Sequence, residues 1–66
     1  MLNVIVAGAA GRMGRRLVAL IRDSTTLTLS GAIEGKGHRS LGSDAGETAG
    51  CGHAGIPNTD DFVALL

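Results

Sequence analysis

An apolar run that leads into three evenly spaced glycines dominates the N-terminal part of the sequence. Residues 2–7 read Leu-Asn-Val-Ile-Val-Ala, and Gly8, Gly11 and Gly14 follow at a spacing of three. Apart from Asn3, the run offers apolar side chains to both faces of a strand, which is typical of a parallel sheet covered by helices. Because a parallel strand needs a crossover, usually a helix, the pattern predicts a strand, a glycine turn and a helix in that order.

Each glycine has a predicted role in that turn. Gly8 permits a sharp turn out of the strand, Gly11 leaves room for a ligand's diphosphate against the backbone, and Gly14 lets the first helical turn sit close to the strand. The N–H groups and the dipole at the helix N-terminus attract negative charge. The pattern therefore predicts the dinucleotide-binding turn of a Rossmann-like domain. The alternative is a glycine turn that binds nothing.

The helix after the turn is expected to run from about Gly11 to Asp23. Its apolar residues follow a spacing of i, i+4, i+7 and i+8, which predicts one stripe packed against the sheet. The members of the stripe are Met13, Leu17, Leu20 and Ile21.

Positive charge is concentrated in the first third of the chain. Residues 1–22 contain four arginines and no acidic residue, although the net charge of the whole chain is zero. Arg15, Arg16 and Arg22 are expected to form a solvated face, whereas Arg12 lies inside the turn, where an anion would offset its unfavourable place in the helix dipole. The neutral balance and a single aromatic residue argue against a nucleic-acid partner.

A second strand is predicted over residues 27–33, where apolar and polar residues alternate. A right-handed crossover would place it parallel to the first strand. Glu34 ends this strand, 20 residues after Gly14. An acid at about that distance binds the adenosine ribose hydroxyls in such domains, so we expect this role for Glu34. The alternative is a surface carboxylate at a strand end.

The choice between NADH and NADPH stays open on charge grounds. The Glu34 carboxylate should repel a 2′-phosphate, which favours NADH. Lys36, His38 and Arg39 follow directly, and their cations are able to bind that phosphate. The alternative for these three residues is a solvated basic loop.

The remainder of the chain gives weaker patterns. Residues 35–55 contain seven glycines and are expected to form a long loop without helix or strand. Residues 54–57 suggest a short extended piece, and Thr59 suggests the N-cap of a helix that is cut short at Leu66. Cys51 and His53 lack the further pair that a metal site requires, so no metal ligand is expected.

Three stretches of the sequence resemble the 4-hydroxy-tetrahydrodipicolinate reductase family, also called dihydrodipicolinate reductase. They are Val4–Arg15, Leu41–Gly50 and Gly55–Asp61. The glycine turn alone fits many dehydrogenases, whereas Leu41–Gly50 discriminates between them. The resemblance implies hydride transfer from NADPH or NADH to a cyclic dihydrodipicolinate-type substrate in diaminopimelate and lysine biosynthesis. It also implies a cytoplasmic homotetramer whose second domain binds the substrate.

The resemblance also assigns cofactor contacts to individual residues. Those implied to contact the diphosphate are Gly8, Ala9, Ala10, Gly11, Arg12 and Met13. Glu34 is implied to bind the ribose. Many family members have a basic residue directly after that acid, whereas here Gly35 follows and Lys36 is the substitute candidate for a 2′-phosphate. No catalytic residue is assigned, because the family's catalytic histidine and lysine lie in the second domain.

The fold class expected from these observations is α/β. Residues 1–66 are predicted to be the N-terminal part of a Rossmann-like dinucleotide-binding domain, a truncated βαβ unit with a parallel sheet. This chain by itself is expected to have no catalytic activity. There is no apolar run of 18 residues, so we expect no membrane partner. We expect a cytoplasmic location. The alternatives are a semialdehyde or homoserine dehydrogenase, or a dinucleotide-binding module without chemistry.

Overall fold

A three-stranded parallel sheet forms the centre of the molecule, and the computed structural model describes it within residues 2–65. The strands lie in the order β1 (Leu2–Ala7), β2 (Leu27–Ile33) and β3 (Asn58–Thr59). Helix α1 (Arg12–Asp23) connects β1 to β2, and the short helix α2 (Ala45–Thr48) lies between β2 and β3. A single turn of 3₁₀ helix follows at Val63–Leu65. The βαβ unit and the α/β class expected from the sequence are confirmed.

The register of β1 against β2 brings their carboxyl ends level. Leu2 pairs with Leu27, and Ala7 pairs with Ile33. The register shifts after Val4, where Ser30 is an extra residue in β2 and its hydroxyl donates to the Val4 carbonyl at 3.3 Å. Such a bulge bends the strand and strengthens its twist. Because Ala7 pairs with Ile33, the turn after β1 and the residue after β2 lie side by side, as predicted.

Ile21 is buried as predicted, but the rest of the buried stripe of α1 lies one residue away from the predicted positions. Gly14, Val18 and Ile21 are buried, whereas Met13 and Leu20 are 65% and 67% exposed. The two stripes share the same spacing and differ by 100° of rotation about the helix axis. The rotation is set by the close approach of Gly14 to the turn, which a hydropathy pattern does not register because glycine has no side chain.

Strand β1 is less buried than the sequence predicted. Its Val6 side chain is buried against the helices, but Leu2 is 69% exposed. On the opposite face, Gly31 leaves space that the Leu65 and Ile5 side chains approach. The expectation of a strand buried on both faces is therefore wrong for the described residues, because α1 and α2 contact each other and cover one side of the sheet.

The glycine-rich segment contains more regular structure than the sequence predicted. Helix α2 begins after Asp44, which caps it, so the expectation of an unbroken loop is wrong. Thr59 belongs to β3 rather than to a helix N-cap, although its hydroxyl accepts a hydrogen bond from the Asp61 amide at 3.1 Å. The predicted extended piece at residues 54–57 precedes β3, and its Pro57 forms an isolated bridge with Asp44. Leu66 of the predicted helix lies outside the described residues.

Candidate functional site

The glycine turn leaves β1 at the carboxyl edge of the sheet and folds back onto β2. Gly8 has a φ of 70°, a left-handed conformation that glycine adopts without strain. The amides of Gly8 and Ala9 both donate to the Ile33 carbonyl, at 2.8 and 3.2 Å. The Gly11 amide donates to the Gly8 carbonyl at 2.9 Å and closes the turn. The sharp turn predicted at Gly8 is confirmed.

Gly14 packs against the turn as the sequence predicted. A Cβ placed on Gly14 would lie 1.9 Å from the Gly8 oxygen and 2.8 Å from the Ala9 Cα. A Cβ on Gly11 would lie 3.3 Å from the same oxygen. Only a glycine at position 14 lets the helix start this close to the strand, which is the packing role of the third glycine in dinucleotide-binding turns.

The N-terminus of α1 has backbone amides that make no hydrogen bond within residues 2–65. Gly11 is its N-cap, makes no side-chain cap bond and is followed by no acid in the first turn. The first helical hydrogen bond runs from the Arg15 amide to the Gly11 carbonyl at 2.9 Å. Within residues 2–65, the amides of Arg12, Met13 and Gly14 make no hydrogen bond. A helix of 12 residues with three such amides is electrostatically suited to an anion.

Glu34 lies in direct contact with the turn. Its own amide donates to the Thr59 carbonyl at 2.9 Å, which continues the pairing of β2 with β3. Its carboxylate accepts a hydrogen bond from the Ala10 amide. The structure therefore brings together the two parts of the predicted site, the glycine turn and the acid. Gly35 and Lys36 follow on the exposed surface beside them.

Three arginines lie in the first two turns of α1. Arg12, Arg15 and Arg16 are exposed and border a cavity of about 310 Å³ with Ala19 and Ala49. In the described part of the chain, none of these three guanidinium groups forms an ion pair with an acid. The resulting positive field favours an anion at the N-terminus of α1.

Arg22 is exposed, as the sequence predicted, and its side chain also contacts the loop before β3. Its guanidinium donates to the His53 carbonyl at 3.1 Å. It thereby ties the end of α1 to the loop before β3.

Asp44 is a residue whose role the sequence reasoning missed. One carboxylate oxygen accepts the amides of Glu47 and Ala54 at 3.0 and 2.8 Å, and the other accepts the Ile56 amide at 3.0 Å. The hydrogen bond from the Ala54 amide is the largest cause that holds the pKa of Asp44 well below its usual range, and burial opposes it. The spacing Asp44-x-x-Glu47 is a helix-capping signature, which was the available signal.

His53 lies exposed in the loop before β3, and its side chain contacts two acids. Its Nδ1 lies 3.0 Å from Glu47 Oε1 and 3.8 Å from Asp44 Oδ1. These three side chains place possible ligand atoms within 4.8 Å of one another. Because the Asp44 oxygens already accept three backbone amides, the arrangement serves to fasten the loop, and we assign no metal to it.

The contact of His53 with Glu47 predicts a small pH dependence of stability. The hydrogen bond to Glu47, with the nearby Asp44 charge, raises the pKa of His53 above its ordinary value. The contribution of this contact to the free energy of unfolding is therefore complete below about pH 6, and it is lost as the pH rises through the raised pKa of His53. Thermal unfolding of the native protein should show this loss, and a His53→Ala variant should not. The same pH slope in both proteins would contradict the contact.

Within residues 2–65, no helix has the length and apolar character needed to cross a bilayer.

Comparison with known proteins gives a consistent result over the whole chain. The model of the family described as "Dihydrodipicolinate reductase, N-terminus" matches residues 2–66. The 4-hydroxy-tetrahydrodipicolinate reductases of Geobacter sulfurreducens and Geotalea daltonii are each 46% identical over all 66 residues. That of Beijerinckia indica is 45% identical over 65 residues, or 98% of this chain. The chain spans about a quarter of the length of these relatives, 24%, 25% and 24% in that order. The chain therefore belongs to the dihydrodipicolinate reductase N-terminal family.

Proposed function

We propose that this chain is the NAD(P)H-binding part of a reductase. The whole protein would transfer hydride to a cyclic dihydrodipicolinate-type substrate in diaminopimelate and lysine biosynthesis. The observation that carries the proposal is the set of unbonded amides of Arg12, Met13 and Gly14 in a chain of this family. These amides follow the turn that Glu34 contacts through the Ala10 amide. Membership alone supports the reaction, and the geometry supports the place of the cofactor.

The diphosphate is proposed to bind at the N-terminus of α1. The amides of Arg12 and Met13 would donate to its oxygens, and the Arg12 side chain would add positive charge. The residues Gly8, Ala9, Ala10 and Gly11 would shape the turn, because their own amides already bond within the protein. Gly11 would keep the backbone open to the ligand.

The ribose is proposed to bind at Glu34. A carboxylate accepts up to about four hydrogen bonds, so the bond from Ala10 leaves acceptor sites for both ribose hydroxyls. Gly35 and Lys36 would lie next to the 2′ position, where the Lys36 ammonium is suited to a 2′-phosphate.

The nicotinamide of the bound cofactor would supply the hydride. The residues of this chain would bind and orient the adenosine diphosphate half, and none of them is proposed to exchange a proton with the substrate. The tetrameric state and the cytoplasmic location implied by the family resemblance stay predictions.

The reaction is tested on the whole protein by following absorbance of the reduced nicotinamide. We expect NADPH or NADH to be consumed only when the cyclic substrate is present. Cofactor consumption without that substrate, or none with it, would overturn the proposed reaction. Titration of each cofactor into the whole protein tests binding separately.

Replacing Glu34 with alanine is expected to weaken the binding of NADH more than the binding of NADPH. The change removes the ribose acceptor from both, but for NADPH it also removes a repulsion from the 2′-phosphate. We expect the loss of affinity for NADH to exceed that for NADPH by about tenfold, the usual effect of one hydrogen bond to a charged group. Fluorescence titration of both cofactors measures the ratio. Asp23→Ala removes an equal charge at the far end of α1 and should leave both affinities unchanged. Equal losses for the two cofactors would contradict the position given to Glu34.

A further inference from the structure

We infer that Glu34 positions the glycine turn through the Ala10 amide, in addition to any contact it makes with the ribose. The inference rests on the proposed function, because the positioned element is the one that would bind the diphosphate. The contact in question is the hydrogen bond from the Ala10 amide to the Glu34 carboxylate, which forms within the protein and does not involve the ribose.

The hydrogen bonds of the turn single out Ala10. The amides of Gly8 and Ala9 donate to the Ile33 carbonyl, and the Gly11 amide donates to the carbonyl of Gly8. The Ala10 amide donates to the carboxylate of Glu34. Among the four turn amides, it is the one that depends on a side chain, so its partner is the one that a substitution can remove.

Consecutive residues of one strand end thus fasten consecutive amides of the turn. Ile33 binds the first part of the turn through its carbonyl, and Glu34 binds the next amide through its carboxylate. Ala9 is 1% exposed and anchors the first part in the core. Beyond Ala9, the hydrogen bond from the Ala10 amide to the Glu34 carboxylate links β2 to the segment that leads into α1. Without it, the Ala10–Gly11 segment gains freedom to rotate, and the amides of Arg12 and Met13 lose their fixed direction.

The chemistry of the contact makes it effective. An ionised carboxylate forms shorter and stronger hydrogen bonds to backbone amides than a neutral acceptor does. Glu34 and Ala10 are both half-buried, which lessens competition from water. The Glu34 backbone is fixed by its own bond to Thr59. The turn is therefore positioned from the adjacent pair of strands, and the carboxylate orientation is set before a ribose arrives.

Two ligands separate positioning from ribose recognition. ADP carries both the diphosphate and the ribose hydroxyls, whereas 2′,3′-dideoxy-ADP keeps the diphosphate and lacks both hydroxyls. In the whole protein, Glu34→Ala should weaken dideoxy-ADP about tenfold, since the diphosphate donors are no longer fixed. Glu34→Gln keeps an oxygen that can accept the Ala10 amide, so it should stay within about twofold of the native affinity for dideoxy-ADP.

Hydrogen exchange of the Ala10 amide tests the same contact in the absence of a ligand. In the ligand-free protein, NMR should show a protected Ala10 amide, lost in Glu34→Ala and retained in Glu34→Gln. Asp23→Ala is the control for charge and should preserve the protection. Circular dichroism of each variant checks that the fold is intact.

The outcomes distinguish this inference from the proposed function. If Glu34→Ala weakens ADP but leaves dideoxy-ADP at its native affinity, the acid acts on the ribose alone and the inference is overturned. An Ala10 amide whose exchange is the same with and without the carboxylate also overturns it. If the native protein binds neither nucleotide, the proposed function fails, and the exchange of Ala10 still decides whether Glu34 fixes the turn.

Discussion

Replacing Gly14 with alanine is expected to lower the free energy of unfolding by about 3 kcal/mol, the upper end for overpacking a tight contact. The new Cβ would lie 1.9 Å from the Gly8 oxygen and 2.7 Å from the Gly8 carbon. These are backbone atoms, so the clash is relieved only if α1 moves away from the turn. The movement would also displace the amides proposed to bind the diphosphate, and nucleotide binding should be lost.

The sign of the effect makes this prediction decisive. Helix propensity alone favours alanine over glycine by about 1 kcal/mol, so without the clash Gly14→Ala would stabilise α1. Gly35→Ala is the matched control, because a Cβ at that position meets no atom within 4 Å. Urea unfolding of the three proteins measures the difference. A Gly14→Ala protein as stable as the native one would show that α1 does not pack on the turn as described.

Replacing Asp44 with asparagine is expected to release the segment between α2 and β3. The carboxylate accepts three backbone amides, from Glu47, Ala54 and Ile56. An asparagine offers one acceptor oxygen and turns an NH₂ group toward the remaining donors, which leaves amides unsatisfied. We expect the fall in melting temperature to exceed that of Glu47→Gln, a matched change at an exposed carboxylate nearby.

The same carboxylate predicts a loss of stability in acid. Because the backbone hydrogen bonds hold the pKa of Asp44 below its usual value, its contribution is complete above about pH 4 and falls as the pH drops toward the lowered pKa. Unfolding followed from about pH 7 to about pH 2 should show a steeper decline in the native protein than in Asp44→Asn. Parallel declines would mean that the three amides do not bind this side chain in the folded protein.

The sequence by itself was sufficient for the order of the first three elements and for the location of the candidate site. A run of apolar residues, glycines at fixed spacing and an acid at the end of the second strand are local signals. The predicted adjacency of Glu34 and the turn followed from one topological rule, that a right-handed crossover places two parallel strands side by side. The resemblance of Leu41–Gly50 to a known family narrowed the reaction further.

The tertiary structure alone decided which face of α1 is buried and how the segment after Glu34 folds. Met13, Leu17 and Leu20 have the same spacing as Gly14, Val18 and Ile21, so periodicity does not choose between two stripes that differ by 100°. The glycine spacing predicted that Gly14 packs close to the strand, but only the folded structure shows that this contact with Gly8 accompanies burial of the stripe that contains Gly14. Likewise, Asp44 finds two of its partners 10 and 12 residues away, at Ala54 and Ile56. Such contacts depend on where the backbone returns in space, which a pattern of neighbouring residues does not contain.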